Sequence, residues 1–166
     1  MIKSIRELSI DLGAALSARG WTAATAESCT GGLVAGAITD IAGSSGWFDR
    51  GFVTYTNEAK TDMLGVDPDA LERNGAVSEA TAIAMAEGAL RASKADVAVA
   101  VTGVAGPAGG TAAKPVGTVC FAWARRGGPT TAATHHSRGT REAVREASVI
   151  VALQGLIEKI GPLHPA

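Results

Sequence analysis

Apolar positions recur at helical spacing over Ser4–Arg19, where Ile5, Leu8, Leu12 and Leu16 alternate with Arg6, Glu7 and Asp11, and again over Glu79–Arg91 and Thr140–Ile160. Short β-type runs mark Thr22–Ala26, Gly51–Tyr55 and Asp96–Thr102. Val97 to Val101 is continuously apolar, the pattern of a strand covered on both faces, which predicts a central place in a sheet. Val116–Ala124 and Thr130–His136 flank Arg125-Arg126-Gly127-Gly128-Pro129, a loop suited to a reversal between antiparallel strands. Leu33 to Ile38 should be helical. Asp67 before Pro68, Ser78 before Glu79, and Thr140 before Arg141 are expected helix caps, with Gly75 a helix stop. Helices and strands alternate, so the expected fold is α/β: a three-layer α/β/α sandwich with a mixed, mostly parallel sheet.

Length and charge narrow the picture. A chain of 166 residues suits one domain, 1–166, with a core that needs no staples. Lys plus Arg is 15 against 16 for Asp plus Glu, a net charge of -1, which argues against nucleic acid as a partner. The two cysteines, Cys29 and Cys120, have neither metal-knuckle spacing nor the density of a disulfide scaffold, which favours a reducing, cytoplasmic setting. No apolar stretch approaches the ~20 residues of a membrane span, and the amphipathic start is no signal peptide.

The loops carry the candidate chemistry. Glu27-Ser28-Cys29-Thr30-Gly31-Gly32 runs from a strand into a helix, so Ser28, Thr30 and Gly31 read either as a capped helix start or as an anion cradle of hydroxyls and unpaired N–H groups. Gly43-Ser44-Ser45-Gly46 reads alone as a loop. Tyr55 stands at a strand end. If Asn57 caps the next helix, Lys60 lies in its first turn, where the positive end of the macrodipole disfavours a charged amine and suits a general base. Thr102 and Gly103 open a glycine-rich loop after the central strand, where ligands of α/β sheets tend to bind. Arg141 adjoins the Thr140 cap and suits a phosphate. His135 and His136 are adjacent in a strand and point to opposite faces, so no metal site is expected, nor any cofactor.

Ala26-Glu27-Ser28-Cys29-Thr30-Gly31-Gly32, Gly43-Ser44-Ser45, Gly51 to Lys60, Gly75-Ala76-Val77-Ser78-Glu79, Thr102-Gly103-Val104-Ala105-Gly106-Pro107 and Lys114 to Val119 together resemble the CinA C-terminal domain family, in order and over nearly the whole chain. Stand-alone members resemble nicotinamide-nucleotide amidases, serine/lysine hydrolases that convert nicotinamide mononucleotide to nicotinic acid mononucleotide and ammonia. The resemblance implies Ser45 as nucleophile, with Ser28 the alternative, and Lys60 as base. It also implies Tyr55, a candidate proton relay, together with Thr102 and Arg141 as site residues, and a homodimer. Backbone N–H groups beside Ser45 or Thr102 are the expected oxyanion donors, and the Ser28–Gly32 helix start or Arg141 the phosphate site. Ala108 stands where members often carry an aspartate. The rival reading is a nucleotide-binding module without catalysis, with a competence or damage-inducible role.

Overall fold

The computed structural model describes residues 2–162; Met1 and residues 163–166, which the single-domain expectation includes, lie outside the described residues. Five strands, β1 (Ala23–Glu27), β2 (Phe48–Val53), β3 (Val97–Gly103), β4 (Thr118–Arg125) and β5 (Thr131–His136), form one sheet in the order β2-β1-β3-β4-β5. β1 pairs in parallel with β2 and β3, while β4 pairs antiparallel with β3 and β5, so four of the five strands run one way. The mixed, mostly parallel sheet is as expected, with β3 in its centre.

Alternation along the strands builds two different faces. Val97, Val99, Val101, Val119, Phe121 and Trp123 face one way and bury against α1 (Ile5–Arg19), α2 (Leu33–Thr39) and α6 (Arg141–Ile160) through Leu12, Leu16, Ile38, Leu153 and Leu156. At about 1.5–3 kcal/mol per fully buried large side chain, this face holds most of the apolar stabilisation. Ala24, Ala26, Ala98, Ala100, Ala122 and Ala124 face the other way, against α3 (Asn57–Leu64), α4 (Pro68–Asn74) and α5 (Glu79–Arg91). Small residues there let α5 lie close to the sheet with its own Ala82, Ala86 and Ala89.

Local capping follows the expected pattern at Asp67, Ser78 and Thr140, whose side chains accept from Asp69, Thr81 and Ala143 N–H groups, and α4 stops at Gly75. The cap of α3 is Thr56, one residue before the expected Asn57, because its hydroxyl accepts from the Ala59 N–H. β2 both begins and ends earlier than expected, at Phe48 and Val53, so Tyr55 lies two residues beyond the strand. No helix among the described residues is long and apolar enough to cross a membrane.

Register positions the site. Glu27 pairs with Val53 on one side and Val101 on the other, which levels the carboxyl ends of three neighbouring parallel strands. The crossover from β1 to β2 packs on one face of the sheet and that from β2 to β3 on the other, so these ends form a topological switch point, where crevices open in α/β sheets.

Candidate active site

Beyond those three strand ends lies a pocket of about 300 Å³ lined by Ser28, Tyr55, Lys60, Thr102, Gly103 and Arg141, among others. Lys60 is 1% exposed, the largest fully buried side chain of the chain's described part, although it is a lysine. Its Nζ lies 3.2 Å from Ser28 Oγ, 3.1 Å from the Thr54 carbonyl and 3.4 Å from the Tyr55 carbonyl. Burial holds the amine below its ordinary 10.5, and no carboxylate forms an ion pair with it among the described residues. Removal from water, more than its place in the first turn of a helix, is what the surroundings of Lys60 show directly as the cause. The two carbonyls can only accept, so a neutral Lys60 spends its two N–H groups on them and turns its lone pair to the Ser28 hydroxyl.

Ser28, not Ser45, meets the lysine. Ser45 sits exposed in the single 3₁₀ turn Ser44–Gly46 that enters the amino end of β2, whereas Lys60 follows the carboxyl end. Six strand residues at ~3.3 Å each place the two ends about 20 Å apart. The Tyr55 phenol is 58% exposed and accepts from Arg141 Nη2 at 3.1 Å, at the pocket rim. The phenol stands outside the direct contact of Ser28 with Lys60. Arg141 also donates to the Gly106 carbonyl at 2.8 Å, tying the glycine loop to the rim.

Thr102 is buried and donates to the Ala76 carbonyl at 2.8 Å, which docks the loop before α5 onto the pocket. Gly103 has no room for a side chain: a Cβ would stand 2.8 Å from the Thr118 carbonyl. Thr30 is fully buried and donates to Glu27 Oε1 at 2.7 Å, and neither it nor Gly31 lines the pocket. The expected phosphate cradle at this helix start is already filled. Glu27, also fully buried, accepts from the Gly32 and Val34 N–H groups with Oε1 and from the Ala35 N–H with Oε2, so its carboxylate supplies the anion that the helix end attracts. Arg141, the other residue expected to meet a phosphate, lines the pocket.

Two residues escaped sequence reasoning. Glu27 is one, although a strand-end carboxylate shortly before a helix is a cap signal. Arg145 donates to the Cys29 carbonyl at 3.1 Å and the Thr30 carbonyl at 3.3 Å. Its spacing of four from Arg141 puts both on one side of α6, the one signal that pointed to it. Ala108 lines the pocket, which among the described residues has no carboxylate side chain in its wall. A larger cavity of about 490 Å³ between α1, α2 and α6 is lined by no serine, threonine, cysteine or lysine among the described residues. His135 stacks edge-on against Phe121 while His136 meets Thr118, so the pair points to opposite faces as expected.

The model of the CinA C-terminal domain matches residues 5–160. The nicotinamide-nucleotide amidohydrolase PncC of Enterobacter agglomerans is 57% identical over 152 residues, 92% of this chain and 93% of that protein. The protein of the same name from Escherichia coli strain K12 is 55% identical over 92% of both chains. Among solved structures, the competence/damage inducible protein CihA from Agrobacterium tumefaciens superposes with a TM-score of 0.90 at 52% identity, covering 93% of this chain and 94% of its own. With a five-stranded mixed sheet that superposes on a solved structure of the family and sequence agreement over nearly the full length, the chain belongs to the CinA C-terminal domain family.

Proposed function

We propose that this chain hydrolyses the carboxamide of nicotinamide mononucleotide to nicotinic acid mononucleotide and ammonia, with Ser28 as nucleophile and Lys60 as its base. The amidohydrolase activity follows from the match to stand-alone nicotinamide-nucleotide amidohydrolases over more than nine-tenths of both chains. The mechanism rests on one observation, the contact between a buried, unpaired amine and a serine hydroxyl at the floor of the pocket.

Neutral Lys60 accepts the Ser28 proton as Oγ forms a bond to the carboxamide carbon. The resulting ammonium gives that proton to the amide nitrogen, the C–N bond breaks, and ammonia leaves. Water then adds to the acyl-Ser28 ester with Lys60 again as base, which frees the carboxylate product and restores the hydroxyl. Arg141 at the rim takes the substrate phosphate. A wall without carboxylates and with the Arg141 guanidinium at its rim suits a nucleotide better than the free base.

A module that only held a nucleotide would have no use for a lysine kept below its ordinary value against a serine. Ammonia release from nicotinamide mononucleotide separates the two readings. Turnover by the wild-type chain that vanishes in Ser28→Ala and Lys60→Met supports the hydrolase; binding without turnover restores the module.

A further inference from the structure

Arg145 engages backbone oxygens of the turn that follows Ser28: Nε holds the Cys29 carbonyl at 3.1 Å and Nη2 the Thr30 carbonyl at 3.3 Å. It forms no ion pair among the described residues. Gly31 leaves room for it, since a Cβ there would stand 3.3 Å from Nη2, and the turn uses the left-handed conformation at Gly31, φ 56°.

These peptides are planar and trans, so each carbonyl points opposite to the N–H of its own peptide unit. With the Thr30 carbonyl held toward Arg145, the Gly31 N–H points back and donates to the Ser28 carbonyl at 3.0 Å. With the Ser28 carbonyl engaged there, the Cys29 N–H is turned the other way. Among the described residues that N–H donates to no protein oxygen, and Cys29 lines the pocket beside Ser28. On the far side of the same turn, Glu27 holds the Gly32, Val34 and Ala35 N–H groups, so the turn is gripped by a cation on its carbonyls and an anion on its later amides.

We propose that Arg145 is a positioning residue for the hydrolysis: by fixing the Cys29 and Thr30 carbonyls it keeps the Cys29 N–H directed into the pocket as an oxyanion donor. The inference rests on Ser28 being the nucleophile. A donor aimed where charge develops acts on the transition state more than on bound substrate.

The test compares wild type, Arg145→Met and Arg145→Lys in steady-state hydrolysis of nicotinamide mononucleotide. It adds binding of the product nucleotide and of a substrate analogue with an aldehyde in place of the carboxamide, which Ser28 converts to a hemiacetal with an oxyanion. For Arg145→Met, kcat is expected to fall about 10²–10³-fold, as for loss of one oxyanion donor, with KM and product affinity within about threefold. Aldehyde affinity should fall in step with kcat/KM, and Arg145→Lys, reaching one carbonyl at a time, should recover part of each loss. If Arg145→Met fails to fold, the lysine variant carries the comparison. Near-wild-type kcat in the variants, or product affinity lost as far as kcat, overturns the role of Arg145 alone. Turnover that survives Ser28→Ala, or its absence in the wild type, overturns the reading on which it rests, and this inference with it.

Discussion

Lys60 Nζ and Ser28 Oγ come within 3.2 Å although the residues stand 32 positions apart. One closes the first turn of α3 and the other directly follows β1, and the parallel pairing of β1 with β2 is what brings them together. The amine has two carbonyl acceptors and one hydroxyl around it, so loss of its proton converts the hydroxyl from acceptor to donor.

That arrangement gives activity a pH dependence of known sign. A base works unprotonated, so kcat/KM should rise with pH along an acidic limb set by Lys60, centred below 10.5, and then level off. Lys60→Arg, which stays charged, should lose about 10³-fold or more. A pH–rate profile of the wild type whose limb lies at or above 10.5 would contradict this.

The same lysine should weaken the fold. In the unfolded chain its amine keeps the ordinary value, whereas the folded value is lower. Below the folded value the full cost of burying a charge is present; as pH rises past the unfolded value, both states are neutral and the cost disappears. Lys60→Met should therefore raise Tm near neutral pH, at about 2–4 °C per kcal/mol gained for a chain of this size, with the gain shrinking toward pH 10.5. Calorimetry at several pH values measures it, and a variant less stable than wild type at pH 7 would refute it.

Ser28→Ala should lower kcat about 10³-fold or more. Ser45→Ala, at an exposed turn before the amino end of β2, should leave kcat/KM within about twofold and stability within about 0.5 kcal/mol. The two variants assayed side by side decide which serine attacks.

Glu27→Ala should destabilise by about 3 kcal/mol or more, because it orphans the Gly32, Val34 and Ala35 N–H groups and the Thr30 hydroxyl in a buried place. Urea unfolding reads this directly, and a loss below about 1 kcal/mol would show that the carboxylate is not the anchor of α2.

Arg141→Ala should raise KM about 10- to 150-fold, the loss of one charge-assisted contact of about 1.5–3 kcal/mol, with kcat changed by less than about threefold. Comparing the nucleotide with the phosphate-free riboside sharpens the test: the variant's penalty should largely vanish for the riboside.

Much of this protein was legible in the order of its residues because the signals are local. A 3.6-residue period marks α1, α5 and α6, hydroxyl and carboxylate side chains at Asp67, Ser78 and Thr140 reach N–H groups only two or three residues away, and the unbroken Val97–Val101 run marks a strand buried on both faces. Lys60 was also legible, as a cation where a helix start disfavours one. The choice between Ser28 and Ser45 was not, since both lie in small, hydroxyl-rich loops and differ only in which end of the sheet they occupy. Strand register sets Ser28, and not Ser45, against Lys60, by levelling Glu27 with Val53 and Val101. Tertiary packing likewise decided that Glu27, rather than a substrate phosphate, fills the start of α2, and that Arg145 reaches across from α6 to carbonyls more than a hundred residues earlier. Such pairings depend on how separate elements meet in space, and no local pattern encodes that distance.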